Sequence, residues 1–522
     1  MLHSIIQSIL QKIKRDTKKL QKEKLLNNSI LFSTDVHKNE EKLKQLLESS
    51  EDILFHDFII PLHDGRTLKA LLVIVDGLVD EDAIRNNVLE PLTKVSLEIS
   101  KGEELKQVKE RISIFNIKMQ DNLEKAVFQI LKGNTLLLLD GYSDGLLLNA
   151  PGYEVRAISE PLTDRSVRGA HDGFIESSPT NIALIRRRIP HPSLQFETIK
   201  IGEYSQTDIT IGYVKGIAEP KLIERVKQRL DKIKVDEINN SGDIEQYIED
   251  HPFSIFPTIG NTERPDKTSA LLMEGRIVII INGDPVSLFV PSLFLENMKS
   301  IEDYSTRPYY SSFIRMLRFV SFIISISLPA LYISAINFHK VMIPSEMMVS
   351  FIQARETVPF PLTMEVIMMI LMFEVVREAG VRLPQHIGAA LSIVGALILG
   401  QVSVSAGLVG APTIVVVSIS YITAFIITPI ADVTALLRIG LFIASSLFGG
   451  YGLILAIIGL LTHMISLTSL GIPYMAPFAP FYFQDWKDSL IRLPLRWNKQ
   501  RPKSIPNQRT TRIRTLPKTG DK

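Results

Sequence analysis

The chain changes character at about residue 310. Charged residues are spread throughout residues 1–310, whereas residues 319–483 are mostly apolar. The stretch 319–336, FVSFIISISLPALYISAI, follows Arg315 and Arg318 and is long enough for a membrane helix. This division predicts a soluble N-terminal region followed by an α-helical multi-pass membrane domain.

Two more apolar stretches, residues 387–409 and 411–430, are separated only by Gly410, which predicts a tight hairpin of spans. Residues 440–484 contain no ionised side chain unless His463 is protonated. That length suits either two crossings or one crossing and a re-entrant loop. Helix-breaking residues favour a broken second half of this stretch: Gly471, Pro473, Pro477 and Pro480.

Two glutamates interrupt the apolar segment FPLTMEVIMMILMFEVVREAG at residues 360–380. An ionised side chain at the bilayer centre costs at least about 2.5–3.5 kcal/mol, so such groups face a packed interior or a wet pathway. Only residues 366–373 separate Glu365 from Glu374, about 12 Å of helix, which is too short for a lipid-facing span. At about 100° per residue the two carboxylates point to opposite sides, so only one faces a pathway at a given level.

Two interpretations of these acids stay open. In one, Glu374 pairs with Arg377 and Glu378 pairs with Arg382 at the membrane edge. In the other, the acids attract cations as a ring or relay, and the candidate ion-pathway residues are Glu365, Glu374, Gln401 and Ser403. Close helix packing is predicted at four small residues: Gly388, Ser392, Gly395 and Gly400.

The soluble region contains one pattern twice. GNTLLLLDGYSDGLLL (133–148) and GRIVIIINGDPVSLFV (275–290) each place a turn glycine eight residues after the first glycine. Asp-Gly or Asn-Gly between apolar runs is a strong hairpin signal. Upstream, residues 68–92 and 207–230 each read as a strand, a turn and a helix. We therefore predict two related α/β subdomains, at residues 51–155 and 195–305.

The remaining segments differ in composition. Residues 1–50 begin with a basic amphipathic helix rather than a signal peptide, and this helix suits an anionic lipid surface, a partner or its own domain. Residues 156–194 connect the subdomains and are dense in charge and turn residues. Residues 306–485 form the predicted membrane domain with four to six crossings, and residues 486–522 form a basic tail.

The sequence offers no recognisable catalytic chemistry. The chain has no cysteine, which excludes disulfides, thiolate metal sites and cysteine nucleophiles. It contains no Walker glycine loop, HExxH helix, GxSxG elbow or paired metal-ligand spacing. We therefore expect no enzyme activity, no metal, no cofactor and no nucleic-acid partner.

Eight motifs follow one another along the chain: TNIALIRRRI, FPTIGNTERPD, LLMEGR, DYSTRPYYSSFIRMLR, LPALYISAINFH, RETVPFPLTMEV, REAGVRLPQHIGAALSIVGALILGQVSVSAGLV and SLGIPYMAPFAP. In this order they resemble the A subunit of the GerA-type spore germination receptors, over about residues 50–485. The chain departs from that family at VRGAHDGF (167–174), where VRGPREGF is usual. If the missing arginine anchors the contact between subdomains, that contact is altered here. The soluble-domain motif residues are Arg168, Arg186, Arg187, Arg188, Glu263, Arg264 and Asp266.

The resemblance implies a subunit of a nutrient-responsive complex in the inner spore membrane. It implies a transporter-like B subunit that binds the germinant, a lipoprotein C subunit, and a pentameric assembly of this chain that conducts cations. Helices carrying Glu365, Glu374 and residues 387–409 would line or support the conduction path. Two alternatives stay open: a solute transporter acting alone, which would usually show an inverted pair of broken helices, and a non-conducting scaffold whose acids are structural.

Charge placement predicts that both ends of the chain face the cytoplasm, which is the spore core. Residues 487–522 contain eleven Lys or Arg and two Asp, and Arg307, Arg315 and Arg318 precede the first span. Both ends inside requires an even number of crossings. We expect residues 464–483 to return through the bilayer and make six; if that segment only dips in, four remain.

Overall fold

The computed structural model describes residues 31–512 except 48–49, 64, 95–103, 153–167 and 383–399. Most of the predicted N-terminal helix and the end of the basic tail lie outside these residues. The chain forms two compact units, one built mainly from residues before 290 and the other from residues 166–169, 248–260 and 290 onwards. The segment boundaries given above stay predictions.

An antiparallel five-stranded sheet organises the first subdomain. Its spatial order is β1-β2-β4-β5-β3, and the strands are β1 Ile53–Pro61, β2 Thr67–Val75, β3 Ile117–Gln120, β4 Thr135–Leu139 and β5 Gly145–Leu148. Strand β4 reads TLLLL and is buried along its whole length. A strand with apolar residues at every position is expected where both faces of the sheet are covered.

Helices cover both faces of this sheet. On one face, α1 Val36–Leu47 and α5 Leu123–Ile130 pack against alternate residues of β2 such as Leu71 and Val73. The other face packs against α2 Glu81–Ile84, a π turn at Arg85–Leu89, α3 Glu90–Thr93 and α4 Glu104–Arg111. Successive strand residues thus face opposite cores, as the period of two requires.

The second subdomain repeats this arrangement. Its sheet order is β6-β7-β9-β10-β8, from β6 Leu194–Ile201, β7 Thr207–Val214, β8 Gly260–Thr262, β9 Ile277–Ile281 and β10 Ser287–Val290. The turn glycines Gly141 and Gly283 occupy equivalent positions with φ of 89° and 95°, a conformation that favours glycine. The prediction of two related α/β subdomains is confirmed. The helices here are α6 Ser178–Arg188, α7 Pro220–Leu230, α8 Ser241–Ile248 and α9 Pro265–Leu272.

Helices dominate the second unit. They are α10 Glu302–Ser305, α11 Pro308–Asn337, α12 Ser345–Gln353, α13 Leu362–Arg382, α14 Ala411–Phe425 and α15 Ala431–Ser466, and residues 400–405 are also helical. By length and composition, α11 and α15 suffice to cross a membrane, whereas α14 is a shorter apolar helix. The helical C-terminal region follows the predicted fold class.

One predicted span is shorter than expected. The sequence places a span at 411–430, but α14 ends at Phe425 and a 3₁₀ turn follows at Thr428–Ile430. Pro429 explains the difference, because proline has no N–H to donate to a helix and restricts the residue before it. At the other end, Gly410 is the N-cap residue of α14, as expected for a turn between two helices.

Helix α15 consists of two segments, 431–448 and 450–466, joined at Gly449, whose φ is 60° and ψ is −143°. A Cβ atom on Gly452 would lie 2.3 Å from the carbonyl oxygen of Ala444. In a continuous helix residues eight apart are separated by about 12 Å. The chain therefore reverses at Gly449, and Leu441 and Leu453 from the two segments share one apolar cluster.

The prediction that residues 464–483 form a returning span is wrong. After α15 the chain makes a short hairpin, β11 Thr468–Ser469 paired with β12 Ile472–Pro473, followed by turns. Glycine and prolines in this segment prevent a regular helix, and irregular backbone exposed to lipid cannot satisfy its polar groups. Within α15, helical segment 450–466 runs back after Gly449.

Candidate functional site

The first buried acid, Glu365, lies in the first turn of α13 and is fully buried. Its Oε1 accepts from Nε and Nη2 of Arg355, at 2.8 and 2.7 Å. Its Oε2 accepts from the backbone N–H of Gly410 at 3.0 Å and from the hydroxyl of Thr413 at 3.2 Å. The carboxylate is thus neutralised by one guanidinium and ties the start of α14 to α13.

Glycine is required at position 410 by this packing. A Cβ there would lie 2.8 Å from Cγ of Arg355 and 3.5 Å from the Oε2 of Glu365. A larger residue would push apart the ion pair that its own backbone N–H helps to hold.

The second acid, Glu374, lies two and a half turns further along α13. Its Oε2 accepts from Nε of Arg377 at 2.9 Å, and its Oε1 accepts from the hydroxyl of Tyr421 at 2.7 Å. Nη1 of Arg438 lies 3.3 Å from the same Oε1. Arg377 also reaches the exposed Asp432, at 3.4 Å. Two guanidinium groups and two carboxylates therefore form one network.

Arg438 of α15 contacts three other helices at this point. It is 1% exposed, and its Nε donates to the carbonyl of Ser325 in α11 at 2.9 Å. Its guanidinium carbon lies 3.9 Å from the centre of the Tyr421 ring, close enough for a cation–π interaction. A buried arginine is tolerated only when it is paired and hydrogen-bonded, and Glu374 supplies the opposite charge.

The structure contains the two ion pairs of the first interpretation. Glu374 pairs with Arg377, and Glu378 pairs with Arg382 at 2.7 Å. Both carboxylates contact α14, through Thr413 and Tyr421, and which of them faces a pathway stays a prediction. Glutamate, arginine and tyrosine side chains are long enough to reach the packed face of α13 from its two edges.

The other candidate pathway and packing residues lie apart from these ion pairs. Gln401 is exposed, whereas Ser403 is buried and its carbonyl accepts from Leu408 N–H at 2.9 Å. A Cβ on Gly400 would make an ordinary 3.7 Å contact with Ile414. The remaining packing residues lie outside the described residues: Gly388, Ser392 and Gly395.

Sequence reasoning missed the partner of Glu365, Arg355, and the second partner of Glu374, Arg438. Arg355 stands in the quoted motif RETVPFPLTMEV, ten residues before Glu365. Arg438 is the single basic residue in the long apolar stretch 433–462. An isolated arginine in such a stretch signals a buried acid on another helix, and this signal was available in the sequence.

In the soluble region, Arg186 of α6 connects the two subdomains. It is fully buried, and its Nε and Nη2 donate to the two carboxylate oxygens of Asp52 at 2.9 and 2.8 Å. Nη2 also donates to Ser50 Oγ at 3.2 Å, and Nη1 donates to the carbonyl of Leu194 at 2.9 Å. This bidentate geometry joins the strand-bearing segments of both subdomains.

The other motif residues are placed separately. Arg264 is buried, forms two hydrogen bonds to Asp266 and donates to the carbonyl of Ala170 at 2.9 Å. The Glu263 carbonyl accepts from Phe174 N–H at 2.8 Å. Arg187 and Arg168 are exposed.

Arg188 pairs with Asp172, whose two carboxylate oxygens lie 2.7 and 2.6 Å from its Nη2. Asp172 lies inside VRGAHDGF, the segment where the chain departs from the family pattern. Asp172, which stands where the family pattern has a glutamate, therefore pairs with Arg188. Across the described ranges, no group of three or more His, Asp or Glu side chains has an arrangement that could hold a metal ion.

Comparison with known proteins identifies the family. The chain belongs to the GerA family of Bacillus/Clostridium spore germination proteins, whose family model matches residues 41–504. Spore germination protein KA of Bacillus subtilis (strain 168) is 40% identical over 483 residues, which cover 92% of this chain and 88% of that protein. The uncharacterized membrane protein YfkQ of the same organism is 38% identical, over 90% of this chain and 91% of its own length.

A solved structure is also similar in sequence. The N-terminal domain of the A subunit of the Bacillus megaterium spore germinant receptor GerK3 is 33% identical to this chain. The match covers 51% of this chain and 99% of that domain, with a TM-score of 0.42.

Proposed function

We propose that this chain is the membrane subunit of a nutrient-germinant receptor that triggers spore germination. It acts as a multi-pass protein of the inner spore membrane, together with a transporter-like B subunit that binds the nutrient and a lipoprotein C subunit. Several copies, five in the simplest assembly, form a cation channel that the partner gates. Three observations support this proposal: family membership over residues 41–504, the two long apolar helices, and the naming of the relative YfkQ as a membrane protein.

The observation that carries the mechanism is the network around Glu374. Its side chain is 19% exposed, whereas that of Glu365 is fully buried, so Glu374 is the acid nearer to an accessible surface. A carboxylate held by Arg377 and Arg438 does not attract cations. The arrangement described here therefore corresponds to a closed state, and opening separates Glu374 from at least one arginine so that a ring of carboxylates concentrates cations.

We further propose six crossings with both ends in the spore core. They are α11, α13, the segment that ends in helical residues 400–405, α14 and the two halves of α15. The reversal at Gly449 supports an even number, because it adds a returning segment within residues 431–466. The basic tail supports the cytoplasmic side for both ends.

A second candidate is a non-conducting scaffold within the same receptor. It is favoured by the pairing of both acids with arginines of the same chain, which makes a structural role sufficient to explain them. The two candidates differ in whether Glu374 affects ion flux without affecting assembly.

The test is release of monovalent cations from spores exposed to a nutrient mixture that germinates the wild type. Spores carry either the wild-type chain, Glu374→Gln or, as a matched control, Glu378→Gln, and the amount of receptor is measured in each. The channel proposal expects slower cation release per receptor from Glu374→Gln spores, once release is normalised to the measured receptor level, with the control unchanged. Normal release per receptor from Glu374→Gln spores supports the scaffold instead.

A further inference from the structure

The loop HPFSI at residues 251–255 presents large apolar side chains outward. Phe253 is 101% exposed and Ile255 is 40% exposed, although the next residue, Phe256, is 1% exposed. An exposed phenylalanine alone is ordinary, but two exposed apolar side chains beside a buried anchor form a small projecting surface.

Both flanks of this loop are fixed to the helical unit. Phe256 packs in the apolar cluster that contains Phe294 and Tyr474, with ring centres 6.4 and 6.3 Å away. On the other flank, the carboxylate of Asp250 accepts from Thr468 Oγ1 at 2.6 Å and from Gly471 N–H at 2.7 Å. The polar groups at the flanks therefore form hydrogen bonds to the rest of the helical unit, and the side chain of Phe253 projects away from the protein.

The loop adjoins the outward apolar face of helical segment 450–466. Ser254 Oγ lies 3.1 Å from Nε2 of His463, in the last turn of that segment. The exposed face of the segment repeats every three to four residues, with side chains 47% to 59% exposed at Ile454, Ile458, Leu461 and Ile465. Phe253 and Ile255 add the neighbouring loop to this exposed apolar face.

The position of His463 places the loop at a membrane boundary. His463 is fourteen residues after the reversal at Gly449, about 21 Å of helix, which is most of the thickness of a roughly 30 Å hydrocarbon core. Aromatic side chains are enriched at the level where hydrocarbon meets headgroups.

We propose that the 251–255 loop inserts Phe253 and Ile255 into the interfacial layer of the bilayer, beside the end of segment 450–466. The loop between α8 and β8 thereby becomes a lipid anchor of the helical unit. This inference rests on the proposed membrane location of the chain. A second copy of this chain or a partner subunit is the competing occupant of the same surface.

The test uses the absence of native cysteine. Single variants Phe253→Cys, Ile255→Cys, Ile458→Cys and Tyr204→Cys of the full chain are labelled with a nitroxide and reconstituted into vesicles of phosphatidylcholine and phosphatidylglycerol. Collisions with oxygen, which concentrates in lipid, are compared with collisions with a water-soluble nickel chelate. Ile458 is the lipid reference, and Tyr204, an exposed aromatic next to Glu203, is the water reference.

The proposal expects labels at 253 and 255 to favour oxygen, as at 458, while 204 favours the nickel chelate. If 458 favours oxygen but 253 favours the chelate, the anchor is refuted and the membrane location stands. If the label at 253 is immobile and collides with neither oxygen nor the nickel chelate, protein covers the loop and the proposal of lipid insertion is wrong. If 458 itself favours the chelate, the membrane location of segment 450–466 fails, and the anchor fails with it.

Discussion

Arg438 of α15 and Glu374 of α13 form a buried ion pair, with 3.3 Å between Nη1 and Oε1. Arg438 is 1% exposed and has Glu374 as its acidic partner among the described residues, whereas Glu374 is also held by Arg377. Arg438 therefore depends on Glu374 for its charge balance more than Glu374 depends on Arg438. Removing the acid strands a buried cation, while the acid itself keeps a second guanidinium if Arg438 is removed.

Glu374→Gln should destabilise the chain more than Glu365→Gln. The first change leaves Arg438 buried without a counter-charge, a loss of about 3–5 kcal/mol by analogy with broken buried pairs. The second leaves Arg355, which is 23% exposed and turns to solvent at lower cost, and glutamine still accepts from Gly410 N–H. Thermal unfolding of the purified chain, followed by tryptophan fluorescence, measures the stability of each variant.

Glu378→Gln is the matched control, since Glu378 and Arg382 are 59% and 77% exposed and such surface pairs contribute about 0–1 kcal/mol. Equal decreases in melting temperature for Glu374→Gln and Glu378→Gln would show that burial of Arg438 carries no energetic weight.

Gly449→Ala should disrupt the reversal of α15. At φ 60° a Cβ is strained, and it would lie 2.7 Å from Cγ of Phe338. Strain of this kind costs about 1–3 kcal/mol before the clash is counted. The level of the protein in membranes and its melting temperature should both fall.

Gly440→Ala and Gly459→Ala serve as controls in the same two segments, because a Cβ at either position meets nothing within 4 Å. Alanine is the better helix former, so these variants should match or exceed the wild-type melting temperature. A Gly449→Ala protein as stable as the controls would argue that residues 431–466 form one continuous helix.

Arg186→Ala should weaken the contact between the two subdomains. The change leaves Asp52 buried without its bidentate partner and removes the donor to Leu194, a loss of about 3–5 kcal/mol. Limited proteolysis should then cleave the purified chain sooner than the wild type. Arg187→Ala, at the exposed neighbouring position, is the control and should raise the cleavage rate less than Arg186→Ala.

The pH dependence of stability should include a contribution from Glu197. Burial alone would raise the pKa of its carboxyl, but hydrogen bonds from Lys227 and Tyr213 lower the pKa below the ordinary value of 4.5. A lowered folded-state pKa adds stability above the unfolded pKa, and this stability is lost as pH falls through the folded pKa. Glu197→Gln should therefore reduce the melting temperature at pH 7, and its difference from the wild type should shrink as pH falls from about 4.5 through the folded pKa.

Tyr213→Phe provides the second arm of this experiment, because it removes one donor and keeps the charge pair with Lys227. It should weaken the pH dependence without abolishing it. A difference between Glu197→Gln and wild type that is independent of pH would contradict the assignment.

The topology proposal is tested by membrane-impermeant thiol labelling. Single cysteines at Ser345 and Tyr451 should label from outside, because the reversal at Gly449 contacts Phe338 and His339 at the end of α11. Cysteines at Gln385 and Lys499 should label only from the core side. Outside labelling at Lys499 would make the number of crossings odd.

The sequence by itself determined the α/β hairpins and the division of the chain into charged and apolar halves. Hairpin positions follow from local chemistry, because Asp140-Gly141 and Asn282-Gly283 lie between runs of apolar residues that have few other conformations. Repetition of the pattern then predicted two related subdomains. The pairs Glu374–Arg377 and Glu378–Arg382 were also local, set by helical spacing.

Tertiary structure alone decided which distant charges meet and where the chain turns back. Arg438 reaches Glu374 across 64 residues, and Arg186 reaches Asp52 across 134, so neither pair leaves a periodic signal. In the sequence, Gly449 cannot be told from other glycines in an apolar helix; only the folded chain shows its φ of 60° and its close approach to Phe338. Local preferences act over a few residues, whereas the counter-charge of a buried arginine is chosen by how whole helices pack.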